Sequence, residues 1–208
     1  GQKSCRPHHQ CAKEMKIIAI TTPKMIDEDA YLISNLLKLG IYSIHLRKPE
    51  ATINECRQLL SQLTDNERAK IIIHDYPELY TEFSLKGIHI NKNITSLPDG
   101  YCGFKTRSCH SFEEIKRYKN EYDYLFLSPI FDSISKVGYK SAFTKEELLK
   151  ASTSGLIDHK IIALGGITLD MLPYFQELNF GGIAMIGGIY NTNTINNLTH
   201  LNPHPYIY

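Results

Sequence analysis

From Met15 onward, short runs rich in β-branched residues alternate with longer segments of helical period, and the alternation repeats until eight strand candidates have been passed. This pattern constrains the fold more than any other feature, because strands that alternate with helices pair in parallel and are covered by those helices. The predicted strands are Lys16 to Thr22, Tyr42 to Arg47, Lys70 to Asp75, Gly87 to Ile90, Gly103 to Thr106, Tyr124 to Ser128, Lys160 to Leu164 and Gly182 to Ile186. Three helix starts are marked by chemistry. Thr52-Ile53-Asn54-Glu55, Ser111-Phe112-Glu113-Glu114 and Thr144-Lys145-Glu146-Glu147 each place a Glu three residues after a hydroxyl, so that two side chains reciprocally satisfy orphan backbone donors. Behind the first box, Ile53, Cys56, Leu59, Leu60 and Leu63 share one helical face. Ahead of it Leu32, Ile33, Leu36 and Leu37 do the same before Gly40. Both stripes read as core packing.

Two architectures accept this order: a closed (β/α)8 TIM barrel and an open doubly wound sheet. The open sheet usually carries a glycine-rich turn after its first strand, and Thr22-Pro23-Lys24 is not one, so the barrel is expected. A chain of 208 residues is short beside the typical ~250, which implies short loops. With 42% hydrophobic and 22% charged residues it can bury one core. The organisation expected is a polar leader over residues 1–14, a single barrel domain over 15–200 and a tail over 201–208.

Lys and Arg number 23 against 22 Asp and Glu, a balance with no footprint for nucleic acid or an anionic membrane. No apolar run approaches the ~20 residues of a membrane span, and the start lacks the order of a signal peptide. A soluble, cytoplasmic protein with small-molecule partners is expected, of a size compatible with a homodimer. Five cysteines form no CxxC pair, and their odd number argues for reduced thiols. The leader collects Cys5, His8, His9 and Cys11, but in no common zinc spacing.

In a barrel, the residues just past each strand converge on one mouth, so polar groups there take the functional reading first. Glycine lets backbone amides approach an anion closely, and Gly165-Gly166 and Gly187-Gly188 stand at corresponding places after the seventh and eighth strands. They are expected to cradle a phosphate ester. The loop after the sixth strand brings Ser133, Ser135, Lys136 and Gly138, a composition suited to a lid that closes over an oxyanion. Arg47 offers a bidentate fork for phosphate or diphosphate. Asp75 is the one strand-end carboxylate, either a Mg2+ ligand or a partner to Arg47. His74, at a strand tip, suits proton transfer near neutral pH, and His89 reads as a structural histidine inside the barrel. His110 is expected to orient the helix that starts at Ser111.

At these residues the chain resembles the thiamine phosphate synthase and TenI family, and the resemblance runs from Met15 to about Asn197. The landmarks come in family order: Ile44-His45-Leu46-Arg47, Ile73-His74-Asp75, Gly87-Ile88-His89, Arg107 through Glu114, Asp123-Tyr124 through Lys136, Ile162 through Ile167 and Gly181 through Met185. The resemblance implies a (β/α)8 barrel that joins a pyrimidine diphosphate to thiazole phosphate. It implies that Arg47, Ser108, Ser133, Ser135 and Lys136 hold diphosphate, with His45 beside them. Asp75 would bind Mg2+, and Gly165, Gly166, Gly187 and Gly188 the thiazole phosphate. Some positions depart from the family pattern. Pro49 stands where the family has a lysine, His74 where it has an asparagine, and Asn91-Lys92-Asn93-Ile94 where a second magnesium aspartate is expected. The TenI branch isomerises a thiazole carboxylate phosphate, and its proton-moving histidine falls at Pro129. Coupling is the first expectation, isomerisation with His74 as the proton carrier the second, and a silent barrel that binds thiazole phosphate or thiamine phosphate the third.

Overall fold

The computed structural model describes residues 14–131, 142–186 and 196. Eight parallel strands close into a barrel in sequence order. They are β1 (Lys16–Ile20), β2 (Ser43–Leu46), β3 (Ile71–Ile73), β4 (Gly87–His89), β5 (Phe104–Cys109), β6 (Tyr124–Leu127), β7 (Ile161–Ala163) and β8 (Gly182–Ile186). β1 closes the ring on β8 with Lys16 opposite Gly182 and Ile20 opposite Ile186. Every expected strand exists, most of them trimmed by a residue or two, while β5 extends to Cys109 instead of stopping at Thr106.

The helices are α1 (Asp29–Lys38), α2 (Ile53–Ser61), α3 (Asp65–Arg68), α4 (Glu78–Phe83), α5 (Phe112–Tyr118), α6 (Lys145–Thr153) and α7 (Leu172–Glu177). Full capping boxes form at Thr52 and Thr144. At Ser111 the box is one-sided: the hydroxyl accepts from Glu114 N, but the Glu114 carboxylate accepts from His110 N instead. A further box, Thr64 with Glu67, starts α3. That helix buries no residue, so no hydrophobic period announces it. The β4–β5 connection, residues 90–103, carries no helix. There Tyr101 packs on Tyr80 at 4.5 Å between ring centroids, and its hydroxyl accepts from Ile88 N at 2.8 Å.

Alternation along the strands sorts the core into two parts. Ala19, Ile44, Leu46, Ile71, Ile73, Leu125, Leu127, Ile161 and Ile183 face outward and pack against Ile33, Leu36, Leu59, Leu60 and Phe175 of the helices. Inside the barrel, Ile18, Ile20, Phe126, Ile162, Leu164 and Ala184 form an apolar half on β6, β7, β8 and β1. The other half of the interior, on β2 to β5, is polar: Ser43, His45, His74, His89 and Thr106 are all buried. A barrel interior with one polar side needs that side fully hydrogen-bonded, since an unpaired buried polar group costs ~1–3 kcal/mol.

Of the thiols expected to be reduced, Cys56 and Cys109 are free and buried, whereas Cys102 is disulfide-bonded. An odd count excludes a fully paired framework but leaves room for a single bridge, which is why the expectation misses it. Among the described residues, no helix is long and apolar enough to cross a membrane.

Candidate active site

The polar half of the interior is one connected network. Tyr124 lies opposite Ser43 across the barrel, and their hydroxyl oxygens are 3.1 Å apart. The Tyr124 hydroxyl is 2.6 Å from His45 Nε2, and His45 Nδ1 is 2.7 Å from His74 Nε2. The His74 ring stacks on His89, with centroids 4.1 Å apart and an interplanar angle of 7°. His89 Nδ1 meets Thr106 Oγ1 at 2.9 Å, and its Nε2 meets Ser108 Oγ at 3.2 Å. Burial is the first cause of depressed basicity in all three rings, with neighbouring positive charge second: His45 and His74 are held well below 6.5 and His89 is pushed down to about 3. All three imidazoles are neutral at pH 7.

Above this network a cavity of about 480 Å³ opens at the carboxyl ends of the strands. Its floor includes His74, His89, Phe126, Ile20 and Leu164, and its wall carries Arg47, Asp75, Asn91, Lys92, Ser108, His110 and Glu114. Arg47 is exposed, and its backbone is fastened to β1 by a pair of contacts with Thr21 Oγ1, at 3.0 and 3.1 Å. Asn91 Nδ2 donates to His74 O at 2.8 Å and Asn91 Oδ1 accepts from Asn93 N at 2.9 Å, which sets the turn after β4. His110 Nδ1 donates to Ser128 O at 2.8 Å, so its ring ties the end of β5 to the end of β6 while its backbone N–H meets Glu114 at the start of α5.

Asp75 stands on the cavity wall, close enough to Arg47 to feel its charge. No ion pair within 4.0 Å joins it to Arg47, and its Oδ2 is buried without a partner. Burial raises the carboxyl above its ordinary value, while the Arg47 charge and a hydrogen bond from Lys48 N pull it down. A carboxylate oxygen without a hydrogen-bond partner keeps its lone pairs free for a hard cation.

Arg47, His74, Asp75 and Ser108 therefore come together on one cavity, whereas His45 lies beneath it, fully buried, with both ring nitrogens engaged. Gly165 and Gly166 adopt φ of +102° and +63°, values that suit glycine. They form the turn after β7 packed against Pro129 and Phe131, and they do not line the cavity. Ser133, Ser135, Lys136, Gly187 and Gly188 lie outside the described residues. Lys48 leaves the mouth altogether: its ammonium pairs with Asp29 at 2.6 Å, both side chains fully buried. Arg107 also borders the cavity, and its guanidinium lies over the Tyr118 ring, 4.2 Å from the centroid. The sequence reading missed Tyr124 as the hub of the interior network, because a Tyr in an apolar strand reads as packing until its partner strands are known.

The comparisons with known proteins agree with this geometry. The profile of the family described as thiamine monophosphate synthase matches residues 17–189. The thiamine-phosphate synthase of Photorhabdus laumondii is 28% identical over 166 residues, 76% of each chain. That of Bacteroides thetaiotaomicron is 25% identical over 177 residues, 78% of this chain and 85% of the relative. A crystal structure described as thiamine phosphate pyrophosphorylase from Bacteroides thetaiotaomicron superposes with a TM-score of 0.78 at 34% identity, covering 91% of this chain and 100% of the other. With the barrel, the strand-end cavity and a profile match over most of its length, the chain belongs to the thiamine monophosphate synthase family.

Proposed function

We propose that this chain is a thiamine phosphate synthase, joining a pyrimidine diphosphate to thiazole phosphate with release of diphosphate. The observation that carries the reading is the meeting of Arg47, Asp75 and Ser108 on the wall of one strand-end cavity. In the reaction, the bond between the pyrimidine's methylene carbon and the diphosphate oxygen breaks, and the thiazole nitrogen bonds to that carbon. Charge accumulates on the departing diphosphate, so catalysis asks for positive and hydrogen-bonding groups placed at the leaving oxygens. Arg47 supplies a fork of donors and Ser108 a hydroxyl. Lys136, Ser133 and Ser135 complete the set by the family resemblance. By the family resemblance the thiazole phosphate goes to backbone amides of Gly165, Gly166, Gly187 and Gly188, at a subsite beside the cavity that Arg47, Asp75 and Ser108 line.

Asp75, with its orphaned buried Oδ2, fits Mg2+ held by one carboxylate and by substrate phosphate oxygens. When bound, that ion neutralises charge on the leaving diphosphate. With Asn93 and Ile94 in place of a second carboxylate, Mg2+ affinity in the absence of diphosphate is weak. The apolar floor of Phe126, Ile20 and Leu164 keeps water from the cationic pyrimidine before the thiazole nitrogen captures it. Isomerisation is disfavoured twice over: Pro129 occupies the position of the isomerase histidine, and His74 is held neutral well below the range of a proton donor at pH 7. A silent binder has no observation in its favour.

The test is to give the purified protein the pyrimidine diphosphate and thiazole phosphate, with and without Mg2+, and in parallel the thiazole carboxylate phosphate isomers. Thiamine phosphate formed only with Mg2+ supports the reading. Isomerisation without coupling, or no turnover at all, overturns it.

A further inference from the structure

The synthase reading uses the cavity wall and leaves the three buried histidines beneath it without a task. Their ring nitrogens offer one ligand atom each, all within 4.8 Å of one another. We propose that His45, His74 and His89 form a binding site for a divalent transition-metal ion of the zinc class, separate from the Asp75 position at the mouth. Donor chemistry comes first. Neutral imidazole is a borderline ligand that suits zinc, cobalt, nickel and copper, whereas Mg2+ demands oxygen, so the two positions select different ions.

The hydrogen bonds behind the rings are those of a ligand set. A metal-bound histidine is normally held by a partner on its other nitrogen, which fixes both ring orientation and tautomer. His45 Nε2 has the Tyr124 hydroxyl at 2.6 Å, leaving Nδ1 as its ligand atom. His89 Nδ1 has Thr106 Oγ1 at 2.9 Å, leaving Nε2, whose contact with Ser108 Oγ at 3.2 Å the ion replaces. On His74 it is Nε2 that faces His45 Nδ1, at 2.7 Å. In the metal-free arrangement one of those two facing nitrogens carries a proton. On metal binding His45 moves its proton to Nε2, which donates to the Tyr124 oxygen. Tyr124 then donates to Ser43 Oγ at 3.1 Å, so the chain from His45 through Tyr124 to Ser43 stays paired and no proton has to leave.

The geometry asks for a small adjustment. Metal–nitrogen bonds of ~2.0–2.1 Å in a tetrahedron put ligand nitrogens roughly 3.3 Å apart. The facing pair therefore opens slightly and the widest pair closes. Because parallel rings aim their lone pairs side by side, His74 tilts away from its 7° stack on His89. His74 and His89 both line the cavity floor, so the fourth coordination position faces the cavity, as in three-histidine sites that keep a place for water or substrate.

The full chain is stripped with a chelator and titrated with Co2+, whose four-coordinate complexes absorb strongly in the visible. The expected result is saturation at one ion per chain, bands that Zn2+ abolishes and excess Mg2+ does not, and loss of the bands in His74→Asn and in His89→Gln. Thr106→Val keeps all three imidazoles and removes only the hydroxyl behind His89, and should weaken Co2+ binding about 10- to 100-fold. The leader variant His8→Ala/His9→Ala should keep the bands, which separates this site from the imidazoles near the start of the chain. Absence of bands in the wild type, their survival in both histidine variants, or their loss in the leader variant overturns the proposal. Should the histidine variants fail to fold by circular dichroism, Thr106→Val decides, and unchanged affinity there overturns it. The readout is metal binding, so it stands or falls independently of the coupling assay.

Discussion

Lys48 Nζ lies 2.6 Å from Asp29 Oδ2, and neither side chain is exposed. The ammonium also donates to Lys24 O at 2.7 Å, and the same carboxylate oxygen accepts from Ile26 N at 2.8 Å. The pair thus clamps the β1–α1 connection onto the segment that follows Arg47. Breaking a buried pair by removing one partner strands the other charge, which costs about 3–5 kcal/mol, far more than the pair adds when intact. Lys48→Met should therefore lower unfolding free energy by that amount in urea titrations, and Lys48→Met with Asp29→Leu should recover most of it. A single variant that loses less than about 1 kcal/mol would mean that water reaches Asp29.

Arg47, one residue earlier, behaves in the opposite way. Its side chain is exposed at the cavity wall, so Arg47→Ala should leave stability within roughly 0.5 kcal/mol while removing a charge-assisted contact to the leaving group. The expected loss in coupling is about tenfold to a hundredfold in kcat/KM, equivalent to ~1.5–3 kcal/mol. Steady-state kinetics of thiamine phosphate formation, beside a urea titration of the same variant, checks both halves of the statement.

Adjacent residues with opposite fates mark how far sequence carries the description. The eight strands and the helix starts at Thr52 and Thr144 are local signals, in period and in capping chemistry, and all are present. That Arg47 faces the mouth follows from its place at a strand end. That Lys48 turns away from it depends on Asp29, nineteen residues earlier on α1, a partner no local pattern names. The histidine cluster is similar. His45, His74 and His89 are each visible on their own strand, but their convergence comes from the register of β2, β3 and β4, and the hub Tyr124 arrives from β6 across the barrel. The missing helix between β4 and β5 was equally silent, since residues 90–103 give no period to contradict one.

Gly165 combines two demands on one residue. Its φ is +102°, and a Cβ there would stand 2.8 Å from Pro129 Cα, a backbone atom that cannot swing aside. Gly165→Ala should cost more than the ~1–3 kcal/mol of an ordinary strained backbone position, because strain and overlap add. Gly155→Ala makes a fair control: φ is +75° but nothing lies within 4 Å of the new methyl, so only the strain remains. Thermal midpoints of the two variants should separate accordingly, and equal midpoints would remove the overlap from the account.

The buried histidines set the acid limit of the fold. All three are held below the ordinary value near 6.5, His89 at about 3, with burial as the first cause. A histidine with a depressed folded pKa binds its proton first in the unfolded chain, so its contribution is fully present above about pH 6.5 and is lost as pH falls toward the folded value. Each pH unit in that window costs about 1.36 kcal/mol per histidine. For His89 alone the loss reaches about 2 kcal/mol by pH 5, and His45 and His74 act in the same direction. The His89 loss by itself is a sizeable share of the ~5–15 kcal/mol that stabilises a typical domain. Asp75 works the other way. Its carboxyl is raised by burial, so acidification through its titration range favours the folded state and offsets a little of the loss. Urea titrations of the chelator-treated protein should show the midpoint falling between about pH 7 and pH 5, and His89→Gln should recover about 2 kcal/mol of that slope. A midpoint that stays level over this range would mean that the imidazoles take up protons inside the barrel without penalty, and the neutral network that links Tyr124 to His74 would then have to be abandoned.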